Sequence, residues 1–376
     1  MPKMSDMKKI LIVGFEKYND KMYPHTKYFI DFVLKNMSVD YFIFRERLFI
    51  FQSATKFLWP FNVKKFLKFI RAFFYIFFDF IKLKKKLSRK KYDHIIAIDI
   101  CAYCAAALAD KNNVTIFWSH DILNQYNLYD NIIYKWVSKL CAGLIKKNRR
   151  VIIQDNERLK LFCENIDVNL TDCDTFFLPV SLKNLKPADA AIKNLNLPTI
   201  LQCGAICKSR LSDIILSDYQ KNHDLYKLSF HGFIDSEMIR AIKSAAKQPL
   251  ISTKIVSSEM IYQIIEHCEI GFVGYLQKDL NTYYIKNACG QALEFLKAGV
   301  PIIVMGNTNL KELVKDEKIG VAIDNQSEIK DAVKYIKQNY KTLSENCMLC
   351  FQKYYNIDNY SAGFISWLNK DYKLIK

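Results

Sequence analysis

Apolar runs of about four to eight residues recur along the chain, and stretches whose apolar positions fall three and four apart lie between them. The short runs predict strands buried on both faces, and the longer pattern predicts amphipathic helices that cover them. In the first half the strands are read at 10–15 (ILIVGF), 41–44 (YFIF), 94–100 (HIIAIDI), 114–121 (VTIFWSHD), 150–155 (RVIIQD) and 175–180 (TFFLPV). Helices are read at 28–36, through the small-residue run CAYCAAALA and at 134–147. A polar segment with two prolines, 181–198, interrupts the pattern. It restarts with strands at 199–206, 225–233, 249–256, 269–276, 300–306 and 320–324, and closes with helices at 329–343 and 360–372.

Alternating strands and helices of this kind build parallel sheets wrapped on both faces. The expected fold is therefore α/β, with two doubly wound Rossmann-like domains. A length of 376 residues agrees with two cores rather than one. The expected division is 1–185, 186–358 and a terminal segment 359–376. Ligands in doubly wound folds sit at the carboxyl ends of the strands. That rule singles out the polar residues after each strand: Gly14, His120, Asp121, Gly204, Lys208, Arg210, His231 and Tyr275.

Charge narrows the partners. Lys and Arg number 55 against 38 Asp and Glu, a net charge of +17. One segment, 57–91, holds much of the excess. Between Lys64 and Lys91 lie 11 basic residues and one acid, Asp79, and between Phe57 and Phe80 lie 11 aromatic residues. No uncharged run there exceeds seven residues, too few to cross a bilayer. Helical spacing puts Lys64, Lys68, Arg71 and Tyr75 on one side and Phe66, Phe69, Phe73, Phe77 and Phe80 on another. With Lys65, Lys84, Lys85 and Lys86 this reads as a helix lying in an anionic membrane interface. The alternative is a helix whose aromatic face packs into the N-terminal core with its lysines in water. Nucleic acid is not expected as a partner, because the aromatics are densely packed phenylalanines rather than single stacking platforms.

The 11 cysteines are odd in number, and several lie in apolar patterns. They read as reduced thiols, which implies a cytosolic compartment. The N-terminal apolar run is too short for a signal peptide. Asp172-Cys173-Asp174 is a D-x-D tripeptide, but it lies far from any other chemistry-bearing motif, and no carboxylate/histidine cluster has ligand spacing. No metal and no cofactor are expected.

The densest chemistry lies in YYIKNACGQALEFLKAGVPIIV (283–304). Read as a helix over 287–298, it lines Asn287, Gly290 or Gln291, Glu294 and Ala298 along one small, polar stripe left uncovered by the core. Gly299 and Pro301 end the helix. A helix N-terminus beside Lys286 suits a diphosphate. A carboxylate one turn on, Glu294, suits two vicinal hydroxyls such as those of a ribose.

These residues resemble a known signature. LEFLKAGVPII resembles the EAxAxGxPVI motif of GT-B glycosyltransferases that use nucleotide sugars. TILQCGAICKSR, LSFHGF, IIEHCEIGFVGYL and LKELVKDEKIGVAID resemble, in order, other segments of that family's donor domain. KKILIVGF, TIFWSHD and RVIIQDNERLKLF fit its N-terminal domain more loosely. The resemblance implies two Rossmann-like domains facing a cleft, with the terminal helix packing back towards the N-terminal domain. It implies Glu294 at the donor ribose, Gly204, Lys208 and Arg210 at the diphosphate, and Asn287, Gly290 and Tyr275 lining the donor site. His120 and Asp121 would project from the acceptor side, with Gly14 nearby. One departure stands out: retaining members often carry a first glutamate eight residues before the second, and here that position is Lys286. The lysine is read as a phosphate contact.

The expectation is a glycosyltransferase at the cytoplasmic face of a membrane. It would move a sugar from a UDP- or GDP-linked donor to a lipid-linked or cell-surface glycan. The alternatives are a nucleotide-sugar epimerase of the same fold and a non-catalytic membrane-associated scaffold. Plainer rivals exist for each residue: a solvated helix position for Glu294, a satisfied strand-end histidine for His120, surface charges for Lys208 and Arg210. His231 reads as structural.

Overall fold

The structure is a computed structural model that describes residues 8–14, 24–44, 77–111, 113–122, 132–184, 193, 195–254, 256–277 and 279–370. The chain divides into two compact units. One comprises residues 1–22, 29–178 and 360–376, the other 23–28 and 179–359.

The first unit carries β1 (Lys9–Gly14), α1 (Pro24–Asn36) from Phe29 on, β2 (Ser38–Ile43), α2 (77–89), β3 (His94–Ile98), α3 (Asp99–Ala109), β4 (Thr115–Trp118), α4 (Ile132–Asn148), β5 (Arg150–Ile153), α5 (Asn156–Ile166) and β6 (Asp174–Phe177). Its six strands are all parallel, in the order β2-β1-β3-β4-β5-β6. The central strands read as continuous apolar runs because both faces are covered, and Ile10 to Val13 and Ile95 to Ala97 are almost wholly buried. Strand β3 ends two residues before the apolar pattern does. Asp99 turns the backbone into the left-handed region (φ 69°), and the helix α3 starts there.

The second unit follows with β7 (Thr199–Ile206), α6 (Ser212–Asn222), β8 (Lys227–Ile234), α7 (Ser236–Ser244), β9 (Leu250–Ser252), α8 (Ser258–Glu266), β10 (Ile270–Tyr275), α9 (Leu280–Tyr283), α10 (Gly290–Lys297), β11 (Ile302–Gly306), α11 (Leu310–Glu317), β12 (Gly320–Ile323) and α12 (Ile329–Tyr354). Its sheet is again six parallel strands, ordered β12-β11-β10-β7-β8-β9. Two apolar clusters cover its faces. One gathers Ile215, Leu216, Met238, Ile242, Ile329 and Ile336. The other gathers Leu293, Phe295, Leu296, Leu313, Cys347 and Phe351. Helix α10 is pressed on β10 at Gly271, where a Cβ would come within 2.6 Å of the Phe295 ring.

The last helix, α13 (Ser361–Leu368), belongs to the first unit. Its Trp367 indole donates to Asp174 Oδ1 at 2.7 Å, and the Arg150 guanidinium lies 4.3 Å from the Trp367 ring centroid. Arg150 Nε also binds Asp174, at 2.8 Å.

Of the basic aromatic segment, 45–76 lies outside the described residues, and Lys64, Lys65, Lys68, Arg71 and Phe73 with it. Its end is α2. Asp79 and Leu83 face inward, while Phe77, Phe78 and Ile81 are each about half exposed beside exposed Lys82, Lys84 and Lys85. Lys86 is not a free surface charge. Its ammonium donates to the Tyr41 carbonyl at 3.2 Å and lies 3.8 Å from Asp40, tying α2 to the edge strand β2. No helix among the described residues is long and apolar enough to cross a membrane.

Candidate functional site

In the second unit the chemistry gathers where β7, β10 and α10 meet. Gly204 and Gly232 face each other across β7 and β8 in left-handed conformations (φ 95° and 131°). A Cβ on Gly232 would sit 2.2 Å from the Gly204 carbonyl oxygen, so only glycine permits this approach. The chain then makes a 3-10 turn, Lys208–Arg210, and Leu211 adopts φ 54° to start α6. The turn is laced to the end of β10, since Leu276 N donates to the Ser209 carbonyl at 3.0 Å. This closeness puts the Arg210 guanidinium 4.1 Å from the Tyr275 ring centroid. The Tyr275 hydroxyl in turn lies 3.2 Å from Cys289 Sγ, and Cys289 is the N-cap residue of α10. Burial, with the thiol beside it, pushes the Tyr275 phenol well above its ordinary range, so it stays protonated and neutral.

Among the described residues, Gln202 Oε1, Arg210 Nη1 and His231 Nδ1 are buried in this region with no hydrogen-bond partner. Gln202 is fully buried on β7, and its amide nitrogen donates to the Arg210 carbonyl at 2.8 Å. His231 is the register partner of Cys203 and is likewise buried, which pushes its imidazole below the ordinary value.

Glu294 does not lie on an open stripe, which corrects the sequence reading. It is 7% exposed, and its Oε2 forms an ion pair at 2.6 Å with Lys297 Nζ, one turn on. The Lys297 side chain has no exposed surface and lies 5.2 Å from the Tyr262 ring centroid on α8. Burial holds the Glu294 carboxyl above its ordinary value, a rise that Lys297 offsets only in part. The helix is shorter than expected, Gly290–Lys297 instead of 287–298.

The remaining predicted donor residues are spoken for by the protein itself. Lys208 pairs with Glu237 on α7. Lys286 Nζ lies 3.5 Å from Glu312 on α11, and its amide donates to Asn309 Oδ1 at 2.9 Å. Asn287 is a structural junction: its carbonyl accepts from Val180 N at 2.9 Å and its side-chain oxygen from the Tyr355 hydroxyl at 3.1 Å.

The first unit presents a second constellation at the carboxyl ends of its strands. Gly14 closes β1 against Ile98, with its would-be Cβ 3.8 Å from that side chain. His120 follows β4, and its Nδ1 lies 3.9 Å from Asp99 Oδ1. Its ring stands edge-on to Trp118, with centroids 5.0 Å apart. The backbone here is locked from below. Arg158, fully buried on α5, donates to the His120 carbonyl at 2.9 Å and to Gln154 Oε1 at 2.7 Å, and Gln154 donates to the Ser119 carbonyl at 2.6 Å. Asp121 contributes its carbonyl to the Ser119 hydroxyl at 2.6 Å.

Sequence reasoning missed four residues: Asp99, Gln202, Tyr262 and Lys297. Asp99 was readable as a carboxylate closing an apolar strand run. Lys297 was readable as a lysine where the signature has alanine. Gln202 and Tyr262 carry no local signal. Among the described residues, no group of three or more His, Cys, Asp and Glu is arranged to hold a metal ion, and all 11 cysteines are free thiols.

Two successive units of six parallel strands, each wrapped by helices, define the GT-B fold. Solved GT-B enzymes align over nearly the whole chain. HepE of Anabaena, in complex with UDP, is 12% identical with a TM-score of 0.65, over 96% of this chain and 99% of that one. Sucrose-phosphate synthase of Thermosynechococcus elongatus is 11% identical with a TM-score of 0.68, over 96% and 98%. The lipopolysaccharide outer core galactosyltransferase WaaB, in its apo form, is 12% identical with a TM-score of 0.59, over 96% and 99%. Within the sequence, residues 243–354 match the family model of the glucosyltransferase 3-like C-terminal domain. That stretch includes α8, β10 and α10. No curated protein sequence matches the chain.

Proposed function

We propose that the protein is a nucleotide-sugar glycosyltransferase whose donor binds at the β7–β10–α10 junction of the second unit. The observation that carries this reading is the set of buried polar atoms without partners at that junction, above all Gln202 Oε1 and Arg210 Nη1. Folded proteins satisfy nearly all such groups, so a cluster of exceptions on a GT-B scaffold points to a ligand. In this reading Arg210 and the N-terminus of α10 hold the diphosphate and stabilise it as it leaves. Lys208 and Lys286 each exchange a surface carboxylate for phosphate. Glu294 accepts from the ribose hydroxyls. UDP is the first nucleotide to test, because HepE is known in complex with UDP and with UDP-glucose.

On the acceptor side His120 takes the proton of the attacking hydroxyl, and Asp99 orients the imidazole and stabilises its charged form. The acceptor is a lipid-linked or cell-surface glycan. Support comes from WaaB, a lipopolysaccharide outer core galactosyltransferase, and from the exposed Phe77, Phe78 and Ile81 beside lysines on α2, which suit an anionic membrane surface. The enzyme would then work peripherally at the cytoplasmic face.

The test is a thermal-shift panel of UDP- and GDP-sugars followed by calorimetry. A binder raises the melting temperature by mass action. The expected result is one preferred nucleotide sugar whose affinity falls at least tenfold in Arg210→Ala. No shift with any nucleotide would overturn the reading. Consumption of the sugar nucleotide with no acceptor present would redirect it to an epimerase.

A further inference from the structure

Helix α10 buries two opposite charges on one turn, and the fold alone does not require either. A buried ion pair is rarely worth more than an apolar pair of the same shape, because desolvation offsets most of the attraction. Here Glu294 Oε2 and Lys297 Nζ stand 2.6 Å apart, and neither atom has any further hydrogen-bond partner among the described residues. The ammonium has three donors, and its other neighbour is a ring face, that of Tyr262. Such a pair is half-finished as a structural device and well formed as a way to hold a carboxylate ready.

We propose that Lys297 is a positioning residue of the donor site: it keeps Glu294 ionised and aimed, so that the carboxylate can accept from the vicinal hydroxyls of the nucleotide's ribose. The proposal rests on the donor-site reading above. Among the described residues, Lys297 is the one positive charge acting on the Glu294 carboxyl. From α8 come Glu259, which adds negative charge, and Tyr262, whose phenol is held neutral by burial. From β7 comes Cys203, a thiol held neutral by burial. In the apolar cluster that anchors α10 through Leu293 and Phe295, β10 contributes Val273 and Tyr275, the latter turned to Cys289. To the same cluster β11 contributes Ile302 and Val304, and α12 contributes Cys347 and Cys350, both thiols raised by burial. Without Lys297 the carboxyl would be left with burial and Glu259, both of which favour its proton. A protonated Glu294 gives up half of its acceptor capacity for a diol.

The experiment is calorimetric titration of a UDP-sugar, or of the GDP-sugar if that is the one the wild type binds, between pH 5.5 and 8.5. The 2′-deoxy analogue is titrated in parallel. The wild type should bind with flat pH dependence, prefer the ribonucleotide, and exchange no proton on binding, as read from buffers of different ionisation enthalpy. Lys297→Met should bind at least tenfold more weakly at the acid end, recover as pH rises, and lose its preference for the ribose form where it is weak. Lys297→Arg should restore the flat profile. A Lys297→Met protein with wild-type affinity and ribose preference at every pH would overturn the proposal, even if it were less stable. If Lys297→Met does not fold, the wild-type proton count decides: a proton released from the protein on binding would mean that Glu294 is not held ionised. A wild type that binds no nucleotide sugar at all would instead sink the donor-site reading itself.

Discussion

Arg210 sits over the ring of Tyr275, its guanidinium carbon 4.1 Å from the centroid, and so a residue from the turn after β7 is held by the last residue of β10. That contact holds the guanidinium while one nitrogen, Nη1, is buried with no hydrogen-bond partner among the described residues. A desolvated cation–π contact contributes about 1–2 kcal/mol. Tyr275→Leu is expected to weaken UDP-sugar binding about tenfold, whereas Tyr275→Phe, which keeps the ring and loses only the contact to Cys289, should change it less than threefold. Arg210→Lys should behave like Tyr275→Leu, because an ammonium cannot present the fork. Calorimetry on the three variants checks this. Equal affinities for the Leu and Phe variants would show that the ring contact does not matter.

Asp99 takes φ 69° where β3 ends, and faces His120 at 3.9 Å. Asparagine tolerates the left-handed region as well as aspartate does. Asp99→Asn should therefore leave thermal stability within about 0.5 kcal/mol while lowering kcat on the order of tenfold to a hundredfold. A drop in stability with unchanged turnover per folded molecule would assign Asp99 to the fold instead.

His94 opens β3, and burial, reinforced by Lys8 and Arg150, pushes its imidazole down to about 4. The unfolded chain binds that proton near 6.5. The stability this group contributes is complete above pH 6.5 and is lost as pH falls from 6.5 towards 4, where the folded form is protonated too. The loss amounts to about 2 kcal/mol, reduced from the full shift because the ring is partly exposed. Denaturant unfolding at stepped pH should show a shallower acid slope in His94→Asn than in the wild type.

On α2, Phe77, Phe78 and Ile81 stand exposed beside Lys82, Lys84 and Lys85. Phe77→Ser/Phe78→Ser should reduce co-sedimentation with vesicles rich in phosphatidylserine. Lys84→Glu/Lys85→Glu should abolish most of it, at about 1 kcal/mol per lysine lost. Neither pair should alter nucleotide-sugar affinity. Binding that ignores both pairs would remove α2 from the membrane surface.

The fold was readable because a parallel strand buried on both faces writes itself as an unbroken apolar run. Ile10–Val13 and Ile302–Met305 carry that signature, and each run expected to form a strand contains one. The ends were harder. β3 was expected to reach Ile100 and stops at Ile98, because Asp99 flips the backbone, a choice that no periodicity records. β9 was expected over 249–256 and keeps only Leu250–Ser252. At the candidate site the difficulty was range. Asn287 looked like a donor-loop residue from its neighbours, but its partners, Val180 and Tyr355, lie far away in the chain. Glu294 looked exposed because helical periodicity shows which face is polar and not what covers it. Lys297 pairs with it, and Lys297 in turn lies over the Tyr262 ring.

The junction at Asn287 has a wider meaning for the architecture. Val180 N reaches its carbonyl and Tyr355 reaches its side chain, while Leu182 N donates to the Tyr355 carbonyl at 2.9 Å and Ile357 N to the Leu182 carbonyl at 3.1 Å. The chain's way into the second unit is thus stitched to its way out. Apart from 23–28, that unit is one continuous insert, 179–359, whose entry and exit segments are hydrogen-bonded to each other. Its two ends are neighbours, so a short peptide joining 182 to 356 would make a circular permutant plausible on geometry alone, with new termini placed in any exposed turn.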